Sequence, residues 1–173
     1  MPRIDVPSDQ DPMMFTWTGI VTDLTGPAAA LSSAVYEKSS LPLREFEMAR
    51  VRIAQINDCQ ICLNWRSARD VASRADEGGA IDEEFYAHIG DLSWSGFSER
   101  EVLAGEFAGL FAQDHLAMDN AFWDRMHAAF SDDEIVDLSV CVGSWLASGR
   151  LNRVLDVDGA CRVPVPGAAP VGG

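Results

Sequence analysis

Positive charge is scarce in this sequence: thirteen Lys and Arg residues stand against 27 Asp and Glu, a formal net charge of −14. Such a chain repels phosphate backbones and anionic lipid head groups unless a local basic patch overrides its field. Nucleic acid and membrane surfaces are therefore not expected partners. Long apolar runs are lacking too. None reaches the roughly 18 residues that a membrane span needs, and the opening "MPRIDVPSDQDPMMF" has no apolar core of a secretory signal. The expected location is the cytoplasm. Cysteine is sparse, with four in 173 residues, which in a reducing compartment argues against a disulfide framework. No stretch reads clearly as a strand.

What is present is helix. With 47% hydrophobic residues, the chain is long enough for one domain with a real core and short for two. Residues 1–15 read as a flexible N-terminal arm, 16–155 as a helical domain, and 156–173, ending in "VPVPGAAPVGG", as a flexible Gly/Pro-rich tail. The Gly26-Pro27 break predicts a helix over about 27–38, with Pro27 in its first turn. Phe46, Ala49, Ile53 and Ile56 recur at intervals of three and four, predicting a second over about 42–56, with Arg44, Glu45, Arg50 and Arg52 off its apolar face.

Asn57 and Asp58 supply a break and cap, after which Ile61, Trp65, Ala68 and Ala72 restart the stripe and predict a third helix, ended by Gly78 and Gly79. A short helix is predicted over Asp82 to Ile89. "FSEREV" and "FSDDEI" each carry a capping box, Ser98 with Glu101 and Ser131 with Glu134. Their unlike intervening sequence makes them independent helix starts, not a repeat. The nearly all-apolar "IVDLSVCVGSWLA" predicts a buried central helix, in which Gly143 permits close helix contact. The fold class is all-α.

Chemistry is concentrated in "NDCQICLNWRS". Cys59 and Cys62 fall in the first turn of the predicted third helix, where unpaired N–H groups and the macrodipole favour thiolate. Arg66, four residues after Cys62, is expected on the same helical face, and Arg69, seven after it, adds positive charge that reinforces the same shift. A C-x-x-C also serves zinc, thioredoxin-like folds, or plain packing. A zinc site needs about four ligands, but Cys141 sits in an apolar helix, Cys161 in the tail, and His88, His115 and His127 are scattered. A thioredoxin-like domain needs a strand before its C-x-x-C, where this sequence has an amphipathic helix. Inert buried thiols remain the plain alternative, and for Cys141 packing is the expected role. Trp65 reads as packing, and Asp137 as lining a pocket or favouring its helix dipole.

The stretch "LREFEMARVRIAQIND" running into "CQICLNWRS", and onward through "FSEREVLAGEFAGLF" and "FSDDEIVDLSVCVGSWLASGRLNRVL", resembles the alkylhydroperoxidase D-like branch of the carboxymuconolactone decarboxylase family over roughly residues 40–155. That resemblance implies an alkylhydroperoxidase D-like helical bundle, a ring or compact homo-oligomer, and a cofactor-free, metal-free peroxidase. The family pattern has a glutamate twelve residues before the C-x-x-C and a histidine four after its second cysteine. Glu47 holds the first position. The resemblance makes Cys62 the peroxide-attacking thiol and Cys59 the resolving one, with turnover of a small hydroperoxide at the expense of an external dithiol.

Arg66 stands where the family has histidine. Guanidinium favours a thiolate but neither accepts nor readily donates a proton, so the expectation is a weakened relay, with Glu47 as shuttle or as ion-pair partner of Arg66, and faster turnover on Arg66→His. His115 and His127 are weaker site candidates. Two other readings use the same scaffold: a decarboxylase-like enzyme with non-thiol chemistry, and a non-catalytic redox-responsive helical oligomer.

Overall fold

The computed structural model describes residues 1–158, and every regular element among them is helical. The α-helices are α1 (Pro12–Met14), α2 (Thr22–Lys38), α3 (Leu43–Asn57), α4 (Gln60–Asn64), α5 (Ser67–Asp70), α6 (Glu83–His88), α7 (Glu99–Gln113), α8 (Asn120–Ala129) and α9 (Asp132–Val154). A π-helical turn follows α1, and 3-10 turns follow α5 and α7. Among the described residues no helix is long and apolar enough to cross a membrane, and no metal-ligating cluster occurs.

Helix α3 is the hub. It packs against α7 on one side and α9 on another, so its burial extends well beyond an amphipathic stripe: Phe46, Met48, Ala49, Ile53 and also Glu47 and Arg50 are at most 1% exposed. Around it Leu103, Phe107, Met126, Leu138 and Val142 complete the core. Close approach is set at Gly105, where a Cβ would lie 2.8 Å from Leu92 and 3.1 Å from the Met48 sulfur. At Gly143, expected to play this part, the nearest atom would be 3.9 Å away, an ordinary contact that asks nothing of glycine.

Both predicted capping boxes are present, Ser98 with Glu101 and Ser131 with Glu134. Two boundaries differ from expectation. Helix α2 begins at Thr22, not at 27, so Pro27 lies inside it; the carbonyl its missing N–H leaves without a helical partner belongs to Asp23, an exposed residue, so the cost of a buried orphan does not arise. The third predicted helix is three short pieces, for a reason given with the site below. The first fifteen residues, expected as a loose arm, contact the end of α9: the Arg3 N–H donates to the Leu155 carbonyl at 2.8 Å and the terminal amine meets Asp156. Of the predicted tail, residues 156–158 follow α9, with the Val157 N–H bonded to the Asn152 carbonyl; residues 159–173, Cys161 among them, lie outside the described residues.

Asn57 ties the end of α3 to α9. Its buried amide donates to the carbonyls of Trp145 and Leu146, at 3.2 and 3.3 Å, and its oxygen accepts from Arg150. Replacing Asn57 by Ala removes all three bonds and opens a void against Gly149. We expect a loss of about 1–3 kcal/mol, read as a lower midpoint in urea denaturation.

Candidate functional site

The C-x-x-C is delivered by a backbone device. Asp58 takes the left-handed conformation (φ 51°) that Asp tolerates better than most residues. The Cys59 N–H then reaches the Ala54 carbonyl and the Asp58 N–H the Gln55 carbonyl, both at 3.1 Å, a Schellman closure. Cys59 thereby becomes the N-cap of α4, its sulfur accepting from the Cys62 N–H at 3.4 Å. The two sulfurs are joined in a disulfide. Their environments differ: Cys59 is fully buried, whereas Cys62 is partly exposed and borders a cavity of about 880 Å³.

That cavity is largely apolar and aromatic, with Met13, Trp17, Tyr36, Ile61 and Trp65 in its walls. Trp65, expected as core packing, is 36% exposed and stands on this wall. On the far side, the α9 backbone closes directly onto the disulfide: a Cβ at Gly149 would lie 2.8 Å from the Asn57 amide and 3.6 Å from the Cys62 sulfur.

Beneath the C-x-x-C lies a buried ion pair. Arg50 donates to both carboxylate oxygens of Glu47, at 2.7 and 2.8 Å. Its guanidinium also donates to the carbonyls of Cys62 (2.6 Å) and Trp65 (2.8 Å). Glu47 further accepts from the Ser67 hydroxyl and the Tyr86 hydroxyl. Burial pushes the Glu47 carboxyl up, but the Arg50 charge and these hydrogen bonds together outweigh it and hold it below the usual glutamate range. For Arg50 burial works against the charged form, and Glu47 more than compensates. Burial and the Glu47 charge raise the Tyr86 hydroxyl, which stays protonated at neutral pH.

Arg50 accounts for the broken helix. It takes the carbonyls of Cys62 and Trp65 that a continuous helix would offer to the N–H groups of residues 66 and 69. Trp65 and Arg66 turn extended (ψ 142° and 110°), and the Arg66 N–H goes to Asp70 instead. Arg66 is consequently not one helical turn above Cys62. Its guanidinium is held by Glu83, by the Leu63 and Trp65 carbonyls, and by the face of Tyr86. The ion-pair partner of Glu47 is Arg50, not Arg66, and α4 is too short for the macrodipole expected of a long helix.

The remaining candidates lie elsewhere. His127 faces Asp132, His115 sits in an exposed 3-10 turn, and His88 stacks on Trp94; none borders the cavity. Asp137 accepts from the Ser40 N–H and hydroxyl, tying α9 to the α2–α3 connection. Cys141 is buried against it, and burial followed by the Asp137 charge pushes its thiol up to about 12, the inert core cysteine expected. Sequence reasoning missed Arg50, Ser67, Tyr86 and Tyr36. For Arg50 a signal existed, the i,i+3 spacing to Glu47; for the others no spacing to the C-x-x-C marks them.

No family model matches the chain, and no solved structure matches it. The chain is 30% identical over 120 residues to the "Uncharacterized protein YnjA" of Escherichia coli (strain K12); the alignment covers 68% of this chain and 63% of that protein, so this chain matches less than two thirds of its relative's length.

Two variants test the geometry. Glu47→Gln leaves Arg50 buried against a neutral amide, and we expect a loss of about 3–5 kcal/mol at neutral pH. Because the folded carboxyl lies below its ordinary value of about 4.3, its contribution is present above that value and is lost as pH falls through the depressed one. Thermal melts of the wild type should therefore converge on those of the variant in acid. Arg66→His, placed beyond the end of α4, should leave the rate of Cys62 oxidation by a hydroperoxide within about threefold of wild type; a tenfold rise would restore the relay first expected at position 66.

Proposed function

We propose that the protein is a thiol-dependent oxidoreductase that reduces hydroperoxides through a redox-active Cys59–Cys62 disulfide, on a helical bundle of the alkylhydroperoxidase D-like kind. The observation that carries this reading is the asymmetry of the pair: one sulfur borders a cavity, and the other is buried and within bonding reach behind it. A structural disulfide needs no open face. An attacking thiol needs one, and its resolving partner does not.

In the reduced protein the Cys62 thiolate attacks the terminal oxygen of ROOH. The S–O bond forms, the O–O bond breaks, and RO⁻ leaves to become ROH on protonation. The Cys59 sulfur then displaces hydroxide from the Cys62 sulfenic acid, and water departs with the Cys59 proton. An external dithiol reopens the disulfide by exchange through a mixed disulfide. Cavity size favours an organic hydroperoxide over hydrogen peroxide. Glu47 acts in this scheme through Arg50: all its bonds are committed, so it positions the Cys62 carbonyl and does not shuttle protons. We place the protein in the cytoplasm, where a dithiol reductant is available. Val136 and Val140, exposed one turn apart on α9, would contribute to a homo-oligomer contact.

Reduced protein treated with one equivalent of cumene hydroperoxide should lose two hydrogens, mapped to Cys59 and Cys62 by peptide mass analysis. Cys59→Ser should instead gain one oxygen at Cys62, trappable with dimedone, and Cys62→Ser should not react. Full peroxidase turnover by Cys62→Ser would overturn the proposal.

A further inference from the structure

The hydroperoxide chemistry leaves one proton without a source. Heterolysis of the O–O bond makes an alkoxide, a poor leaving group until it is protonated, and Arg66 neither faces Cys62 nor gives up protons. None of the three histidines borders the cavity. Of the carboxyls and amines on its wall, Asp70 is engaged by Arg69 and by the Arg66 N–H, and the Arg69 bond holds it below the usual aspartate range, so it carries no proton at neutral pH. Glu37 and Lys38 are exposed side chains at the end of α2. Serine and threonine hydroxyls also occur there, but an aliphatic alcohol is no more acidic than the alcohol being made and gives the transfer no driving force.

A phenol does. The chain has two tyrosines. Tyr86 is committed to Glu47 and does not border the cavity. Tyr36, near the end of α2, does border it, as Cys62 and Trp65 do, and Arg50 bonds both the Tyr36 hydroxyl and the Cys62 carbonyl. Its ring is clamped between Phe46, Trp65 and Trp145, with centroids 5.8, 5.8 and 6.2 Å away, so its orientation is fixed by packing. Its oxygen accepts a hydrogen bond from Arg50, which leaves the O–H free to donate; burial raises the hydroxyl above the usual tyrosine range, while the Arg50 charge and this bond pull the other way. It therefore holds its proton at neutral pH and has a cation beside it to steady the phenolate.

We propose that Tyr36 is a catalytic residue, the general acid that protonates the departing alkoxide as Cys62 attacks. This inference rests on the hydroperoxide-reductase reading above. As the Cys62–O bond forms and the O–O bond breaks, the electron pair goes to RO and the Tyr36 proton follows it, giving ROH. Water entering the cavity reprotonates the phenolate, restoring the proton that Cys62 released to solvent on ionising. Over the cycle two thiols and ROOH become a disulfide, ROH and water.

The test compares leaving groups. Fully reduced wild type and Tyr36→Phe are mixed with tert-butyl hydroperoxide, whose leaving group needs a proton, and with peracetic acid, whose acetate does not. Formation of the Cys59–Cys62 disulfide is followed by rapid acid quench and mass analysis. We expect Tyr36→Phe to slow the alkyl hydroperoxide reaction by about a hundredfold and the peracetic acid reaction by less than about twofold. Equal slowing with both oxidants would make Tyr36 a packing residue only, and an unaltered alkyl hydroperoxide rate would remove it from the chemistry, the hydroperoxide-reductase reading surviving in either case. A wild type that forms no disulfide with tert-butyl hydroperoxide would overturn that reading and this inference together.

Discussion

The buried pair of Glu47 and Arg50 is the interaction on which the rest of the site depends. Taking two charges out of water costs several kcal/mol per ion, and their attraction offsets this only when the remaining donors and acceptors are also satisfied. Here they are. Arg50 spends its donors on two carboxylate oxygens, two carbonyls and the Tyr36 hydroxyl, and Glu47 receives two further hydroxyls. The carbonyls belong to Cys62 and Trp65, so satisfying the charge and ending α4 are one event. Without that demand nothing in the local sequence stops the helix: residues 60–70 contain neither Gly nor Pro. The C-x-x-C consequently sits on a short, tethered segment and not on the first turn of a long helix.

This also explains which features were legible in the sequence. Local signals survived: the α3 stripe, the two capping boxes, the Asp82 start and the all-helical class depend on residues within a turn of one another. Features made by contact across the chain did not. Arg50 lies off the apolar stripe, and period-3.6 reasoning assigns such a residue to solvent; it is buried because α3 is enclosed by α7, α9 and the segment after the C-x-x-C. The break at Trp65 is imposed from α3, twelve or more residues upstream. Arg66 was misplaced for the same reason, since one turn after Cys62 has meaning only on an unbroken helix. Gly143 and Gly149 look alike in sequence; only packing shows that the second has α3 and the disulfide against it.

The two halves of the site are consequently held by different physics. On the inner side, charge and hydrogen bonding fix the main chain at Cys62. On the outer side, the cavity wall is assembled by packing from the π-turn, α2 and α4: Trp17 is pinned through its indole N–H to Asn152 of α9 at 2.8 Å, and Tyr36 is wedged among aromatic rings. Arg50 touches both halves, through its bond to the Cys62 carbonyl and the hydrogen bond it donates to the Tyr36 hydroxyl. A cation placed there cannot itself move protons, yet it can set where the sulfur stands and how readily a neighbouring phenol gives up its own. In the proposed chemistry the absent histidine is thus replaced by a division of labour. An arginine one layer below the sulfur supplies position and field, and a tyrosine from a different helix supplies the proton.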